Sequence, residues 1–459
     1  MKKVIFALGF CFMASNSYGV LLKASNDKFV DAGLKLSIWA QDNGKVTTND
    51  HKSVNFSVEN ARLYFAGQIN PVVQFGANID FSDNNVLIPD GSARSHDKMQ
   101  YTIVKDAFIN FKFKKSFQVT AGLFLDPWSR IPLEDLYSFI VPIEDYNPGV
   151  SEIDIDGAKL LQTSYAVNPN YLNYNGVYKF KPFIKPLVPF TFGSDVGNAF
   201  RDTGIAIWGD IAKHTALKYY IMAGNGRYDY QYGNNAKSNL KYGFRIELTP
   251  TFLGYKGEPD YVDKDTFFGK RKTLTFSFAY QQQRIDCSNP WLNSVNQTNI
   301  CNGQTSSTTA KAYTFDVLWE QKFGDFVPNV QGAWLLQKDL GFSKANSNIS
   351  QPEAKGYYLQ TQLLYDRYIG IGKPALVLRY EEDKNKNYYV DPANQNSFIT
   401  TKVFLTDVFV NYYIDNENAN MSFGVQFVNP DANLINATSN GKDTIRAFND
   451  WTLAFRTVF

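Results

Sequence analysis

Histidine and cysteine are scarce, and long apolar runs are missing. There are three cysteines and three histidines in 459 residues, and the one near pair of cysteines, Cys287 and Cys301, has no histidine close in sequence, which leaves zinc short of the four ligands it needs. His51, His96 and His214 are widely separated, and no Ser-His-Asp or HExxH arrangement surrounds them. A glycine-rich phosphate cradle of the Walker type is absent as well. The sequence therefore points to no enzyme, no cofactor and no metal. Without an apolar run of about eighteen residues, a membrane protein made of helices is excluded. Neither sign of charge dominates, with 46 Lys+Arg against 44 Asp+Glu, so nothing biases the chain toward nucleic acid. What the chain has in excess is aromatics, at 16%. Its mean hydropathy of −0.30 fits a soluble protein. It fits a membrane β-barrel equally, because strands that are half polar average to ordinary values.

The first residues read as an export address. Lys2 and Lys3 precede an apolar run, Val4 to Ala14, that is too short to span a bilayer. Ser17-Tyr18-Gly19 places small residues where a signal peptidase cuts, so residues 1–19 are expected to be removed and 20–459 to form the mature chain. Removal takes two lysines with it, leaving 44 basic and 44 acidic residues. Cys11 leaves too. Cys287 and Cys301 remain as an even pair in a polar stretch of an exported protein, which predicts one disulfide clipping a loop. Closing about fifteen residues contributes about 3 kcal/mol in the chain-entropy account.

Beyond the leader one pattern recurs. Leu274, Phe276, Phe278 and Tyr280 alternate with Thr273, Thr275, Ser277 and Ala279. Alternation with period two places the two sets on opposite faces of a strand. The same pattern occurs at Val73–Phe81, Leu240–Leu248, Tyr313–Glu320 and Met421–Phe427, among others. Matching it along the chain predicts about sixteen strands. They start near Val30, Phe56, Val72, Tyr101, Phe117, Thr203, Thr215, Leu240, Lys272, Lys311, Asn329, Gly356, Pro374, Lys402, Asn420 and Trp451. Connections alternate between short, such as Lys114-Lys115-Ser116, and long, such as Ser82–Gln100, Gln283–Ala310, Asp339–Lys355, Glu382–Thr401 and Asn429–Asp450.

That asymmetry is the habit of an up-and-down barrel. In water, so many amphipathic strands would need a second apolar layer, and few segments of helical period exist to supply one. Closing the sheet with its oily face toward lipid removes every strand edge and satisfies the backbone. The aromatic excess then belongs in girdles at the two interfaces. The chain ends on an alternating strand, Trp451, Leu453 and Phe455 leading to terminal Phe459, which resembles the C-terminal signature of bacterial outer-membrane barrels. The expected fold is all-β, a transmembrane antiparallel barrel.

Three stretches carry a closer likeness. Asn60-Ala61-Arg62-Leu63-Tyr64-Phe65-Ala66-Gly67, Lys105-Asp106-Ala107-Phe108-Ile109-Asn110-Phe111 and Ala121-Gly122-Leu123-Phe124-Leu125-Asp126-Pro127-Trp128-Ser129 resemble the second strand, the fourth strand and the entry to the third loop of the porin O/P family. Arg201–Gly226 resembles the hairpin that follows. The likeness implies a sixteen-stranded barrel in the bacterial outer membrane, a homotrimer embedded in lipid, with loop three folded into a water-filled pore for ions and small polar solutes. A competing expectation is a closed barrel whose long loops serve adhesion or receptor roles.

Residues 126–200 lack clean alternation and are expected to be that third loop. Acids dominate its first part: Glu134, Asp135, Glu144 and Asp145 face Arg130 as the one basic residue between 126 and 156. Charge rings at a constriction set ion preference. The candidates for the pore wall or constriction are Arg62, Asp106, Arg130, Glu134, Asp135, Arg245 and Arg379. The polar faces hold further charges of both signs, among them Lys218, Lys241, Arg456, Glu247, Asp316, Asp366 and Asp407. Glu152-Ile153-Asp154-Ile155-Asp156-Gly157 opens like a calcium loop, but its twelfth position is Thr163 rather than Glu. A solvated acidic turn is expected there.

Overall fold

A computed structural model describes residues 19–25, 27–43, 53–81, 103–134, 136–142, 151–155, 158–162, 201–226, 240–286, 307–339, 343–345, 348–351, 353–391, 393–438 and 446–459. Cys287, Cys301, Asp135 and the leader lie outside the described residues, as do most of 143–200.

Sixteen antiparallel strands close a barrel. In chain order they are β1 (Lys28–Asn43), β2 (Ser53–Gln68), β3 (Val73–Asp80), β4 (Ile103–Lys114), β5 (Phe117–Leu125), β6 (Arg201–Ile211), β7 (Leu217–Gly224) and β8 (Lys241–Leu248). Then come β9 (Thr273–Asp286), β10 (Ser307–Glu320), β11 (Phe326–Lys338), β12 (Glu353–Tyr365), β13 (Lys373–Asp391), β14 (Asn394–Asp415), β15 (Ala419–Pro430) and β16 (Phe448–Val458). Each pairs with the next, and β16 returns to β1 with Val458 opposite Lys35 and Trp451 opposite Asp42. A short strand, Val20–Ser25, continues that seam on β1, with Val20 opposite Ala32.

The face assignment holds. Along β8 the odd-numbered residues Lys241, Gly243, Arg245 and Glu247 are buried, and Tyr242, Phe244, Ile246 and Leu248 are exposed. Phe276, Phe244 and Phe455 are 40%, 37% and 43% exposed, whereas Ser277 is 2% exposed. The apolar side is thus the outer surface and the polar side the interior, the reverse of a protein folded in water. On that outer surface the rings of Phe244 and Tyr280 lie 6.0 Å apart and those of Tyr280 and Tyr313 5.1 Å apart, cross-strand pairs that help set the register.

Three features depart from the sequence reading. Glu382–Thr401, expected as a loop, is a hairpin: β13 and β14 stay paired from Lys373↔Tyr413 to Asp391↔Asn394. Tyr388, Tyr389, Val390, Phe398 and Ile399 are aromatic or β-branched, and such residues favour continued pairing. Asp366, expected on a polar strand face, lies just beyond β12, where Lys322 and Lys373 (2.6 Å) hold it. Most important, the connection from β8 to β9 is on the side of the short turns, yet it runs from residue 249 to 272. It turns inward.

Candidate constriction inside the barrel

Two segments meet in the interior. One is residues 126–142, entered from β5 and containing the short helix α1 (Arg130–Leu133). Its apolar and aromatic residues Trp128, Ile131, Leu133, Tyr137, Phe139 and Ile140 are all buried there with Trp39 and Trp208 from the wall. The backbone of this segment is held by strands far from β5. Asn411 on β14 donates to the Ile140 carbonyl at 2.6 Å, and Arg456 on β16 donates to the Phe139 carbonyl at 2.7 Å.

The other segment is the 249–272 connection. Tyr261 stands at its centre, with edge-on ring contacts to Trp208 (5.3 Å), Tyr220 (5.2 Å) and Phe124 (6.0 Å). Its hydroxyl donates to the Leu125 carbonyl at 3.0 Å, and the Tyr220 hydroxyl donates to the Tyr261 carbonyl at 2.8 Å. Further along, Asp265 accepts from Gln331 of β11 at 2.6 Å and from the Ile140 amide at 2.8 Å. Glu320 of β10 accepts from Thr266 at 2.7 Å and from the amides of Phe267 and Gly269. Buried backbone donors require such partners, so this segment is tied to the barrel along its length.

Charge binds the two segments to the wall. Arg130 donates to Glu258 at 2.7 Å and to the Lys264 carbonyl at 2.6 Å, and its Nε lies 2.7 Å from Glu134. Lys218 of β7 is 2.6 Å from Asp263 and 2.9 Å from Glu247. Arg245 of β8 forks onto Asp316 at 2.6 and 3.0 Å, meets Glu247 at 2.8 Å and reaches Asp263 at 3.6 Å. The carboxylate oxygens of Glu247, Glu258 and Asp263 come within 4.8 Å of one another. Arg130, Lys218 and Arg245 already interleave them, so positive charge is supplied by side chains.

Protonation follows from these neighbours. Burial pushes the Glu134 carboxyl well above the usual range, Asp265 beside it adds to that, and Arg130 opposes it. Burial likewise raises Glu258 against the pull of Arg130. Asp263 goes the other way: burial would raise it, but Lys218 and then Arg130 hold it below the ordinary carboxylate range.

Of the expected site residues, Arg130, Glu134 and Arg245 share this network. Arg62 and Asp106 do not pair with each other. Arg62 donates to Asp80 at 2.9 Å, whereas Asp106 takes Arg201 at 2.9 Å and Asn78 at 3.0 Å. A bulge in β4 lies between the pairs Asn78↔Asp106 and Ile79↔Val104. It leaves Lys105 without an opposite residue and turns both Lys105 and Asp106 inward. Arg379 forms a third group with Glu381 and Asp407, its guanidinium 4.8 Å over the Tyr358 ring. A fourth group, absent from the expectations, joins Lys241 to Asp126 and to Asp202 at 2.8 Å. Also unforeseen were Glu258, Tyr261, Asp263 and Asp265. A length of 24 residues where the neighbouring turns need about two to six, with four acids between 258 and 265, was the available signal.

Residues 30–142 match the family model described as phosphate-selective porin O and P. No curated protein matches the sequence. Among solved structures, OprB of Pseudomonas putida superposes with a TM-score of 0.50 at 9% identity, covering 94% of each chain. An anion-selective porin from Comamonas acidovorans gives 0.49 at 10% identity, over 94% of this chain and all of that one. The outer-membrane channel DcaP of Acinetobacter baumannii gives 0.48 at 9% identity, over 96% of this chain and all of that one. The fold is that of an outer-membrane porin.

Proposed function

We propose that this chain forms a water-filled channel in the bacterial outer membrane, passing ions and small polar solutes by passive diffusion. One observation carries the reading: a closed barrel turns Phe244, Phe276 and Phe455 outward and Lys218, Arg245, Glu247 and Asp316 inward. Only a wall between hydrocarbon and a polar interior calls for that arrangement. The path narrows where residues 126–142 meet 249–272, and Arg130, Glu134, Arg245 and Asp263 are the buried charges that hold the two segments there. The match over residues 30–142 supports the same class.

Purified protein in a planar bilayer should give stepwise open-channel currents. A second reading has its own support. Lys218 is 1% exposed, and Arg245 and Asp316 are 0% exposed, so at that level the barrel is filled. A barrel that never conducts predicts silence both from the native chain and from Asp263→Asn, in which the two segments are loosened. Currents from either would overturn it, and silence from both would overturn the channel.

The finer parts of the proposal have separate supports. Removal of residues 1–19 agrees with a strand that begins at Val20. A disulfide between Cys287 and Cys301 rests on the sequence. Assembly as a homotrimer rests on the family likeness. N-terminal sequencing should begin at Val20, thiol titration of the unfolded, unreduced mature protein should find none free, and native mass spectrometry in mild detergent should give three chains.

A further inference from the structure

Among the described residues, the buried carboxylates of the interior meet a cation or a hydrogen-bond donor, with one exception. Asp383 lies on the inward face of β13 and is 0% exposed, yet neither of its carboxylate oxygens has a hydrogen-bond partner. No cation among the described residues lies in ion-pair range of it. The register explains the missing donor. Opposite Asp383 stand Gly356 on β12 and Val403 on β14, and neither has a side chain that can hydrogen-bond.

The flanking residues on the same face of β13 add further acceptor oxygens. Glu381 brings its carboxyl group within hydrogen-bond range of Asp383, but ionised carboxylates only accept, so neither satisfies the other. One oxygen of Glu381 takes Arg379, and the other, Oε1, has no partner. Asn385, 8% exposed, has an unpartnered Oδ1. Arg379 is committed elsewhere, stacked over Tyr358 and with its Nε 3.9 Å from Asp407. The group therefore sets one guanidinium against three carboxylates, those of Glu381, Asp383 and Asp407. Two negative charges are left over, and a carboxylate buried without a partner is strongly disfavoured.

We propose that Glu381, Asp383 and Asn385 form a binding site for a divalent cation of the calcium kind on the inner wall of the barrel. Positions i, i+2 and i+4 of a strand share one face, so the three side chains line the same side of β13. Their free atoms are all oxygens, the donors that hard cations take. A charge of two matches the surplus the group carries. Calcium accepts irregular oxygen sets and completes them with water, whereas magnesium demands a near-ideal octahedron that one strand face does not supply. The site goes beyond the channel reading: it is detected by binding, and it would hold equally in a barrel that never conducts.

The full chain in non-ionic detergent, stripped of metal by dialysis against EDTA, would be equilibrated with calcium chloride at mildly alkaline pH, and bound calcium counted by equilibrium dialysis. The test variant is D383N. The control is D325N at the tip of the β10–β11 turn, where Asp325 pairs with Arg367 at 2.8 Å. Native chain and control should each retain one calcium per chain. Losing an outer-shell partner alone costs about 10–100-fold in affinity, so D383N, which loses a charged ligand, should bind at least about a hundredfold more weakly. Folding of each variant is checked by its heat-modifiable mobility on electrophoresis. If D383N does not fold, N385A takes its place; it removes one oxygen and no charge, and should weaken binding about tenfold. No calcium on the native chain, or equal binding by the native chain and the folded variant, would overturn the proposal. A proton shared between Glu381 and Asp383 in place of a metal predicts the first of these results.

Discussion

At the scale of single residues, the decisive question for each side chain is which medium it meets. Phe276 and Ser277 are neighbours in sequence and opposites in surroundings, one facing outward and one inward. Lysine at Phe276 should cost about 2–4 kcal/mol near the middle of the bilayer. Lysine at Ser277, inward between Glu247 and Asp316, should cost less than lysine at Phe276 in unfolding by denaturant and should shift single-channel conductance. Equal effects of both on stability would contradict the face assignment. Lys105 shows how a residue can escape the alternation. Strict period two would send either Lys105 or Asp106 into lipid, and an ionised group there is costly. The bulge in β4 turns both inward. Two adjacent charged residues in a strand were the visible sign; which of them would be accommodated, and how, was not readable.

At the scale of elements, the 249–272 connection and residues 126–142 act on each other through carboxyls with opposed protonation. Glu134 faces Arg130 on its own segment, Asp263 and Asp265 on the other, and Tyr358 on β12. With its folded value raised, Glu134 keeps a proton that the unfolded chain would release. Its contribution is therefore full below the ordinary value of 4.5 and is lost as pH rises toward its own higher one. Asp263, held low, contributes above its ordinary 3.8 and loses that as pH falls toward its lowered value. Rising pH should accordingly loosen residues 126–142 and increase conductance in the native chain. Glu134→Gln, which cannot ionise, should give a flatter conductance–pH curve. An unchanged curve would remove Glu134 from the account. Asp263→Asn deprives Lys218 of its closer partner, and breaking a buried pair costs about 3–5 kcal/mol. Hydrogen exchange should then speed up at the amides of Asp263, Phe267 and Gly269, which now donate to Leu133 and Glu320.

At the scale of the whole molecule, closure depends on the seam between β1 and β16. The Phe459 amide donates to the Leu34 carbonyl at 2.8 Å, the Leu34 amide donates back at 3.1 Å, and Tyr64 donates to the Phe459 oxygen at 3.1 Å. Gly33 is where this passes: a Cβ there would lie 1.9 Å from that oxygen, so the position tolerates no side chain without moving the terminus. Gly33→Ala should lower the temperature at which the barrel unfolds in detergent, whereas Ala40→Gly on the same strand should have less effect. The strand count, the pairing order, the medium on each face and the closing role of the last strand were all determined by the sequence. Each follows from period-two alternation, a local property of covalent geometry that needs no knowledge of distant residues. What only the tertiary structure decided is how the interior is filled. Glu258 meets Arg130, Asp263 meets Lys218 and Arg245, and Asp265 meets Gln331 and the Ile140 amide because a turn folds back between strands, and contacts made by a connection that leaves the strand pattern have no periodic trace along the chain.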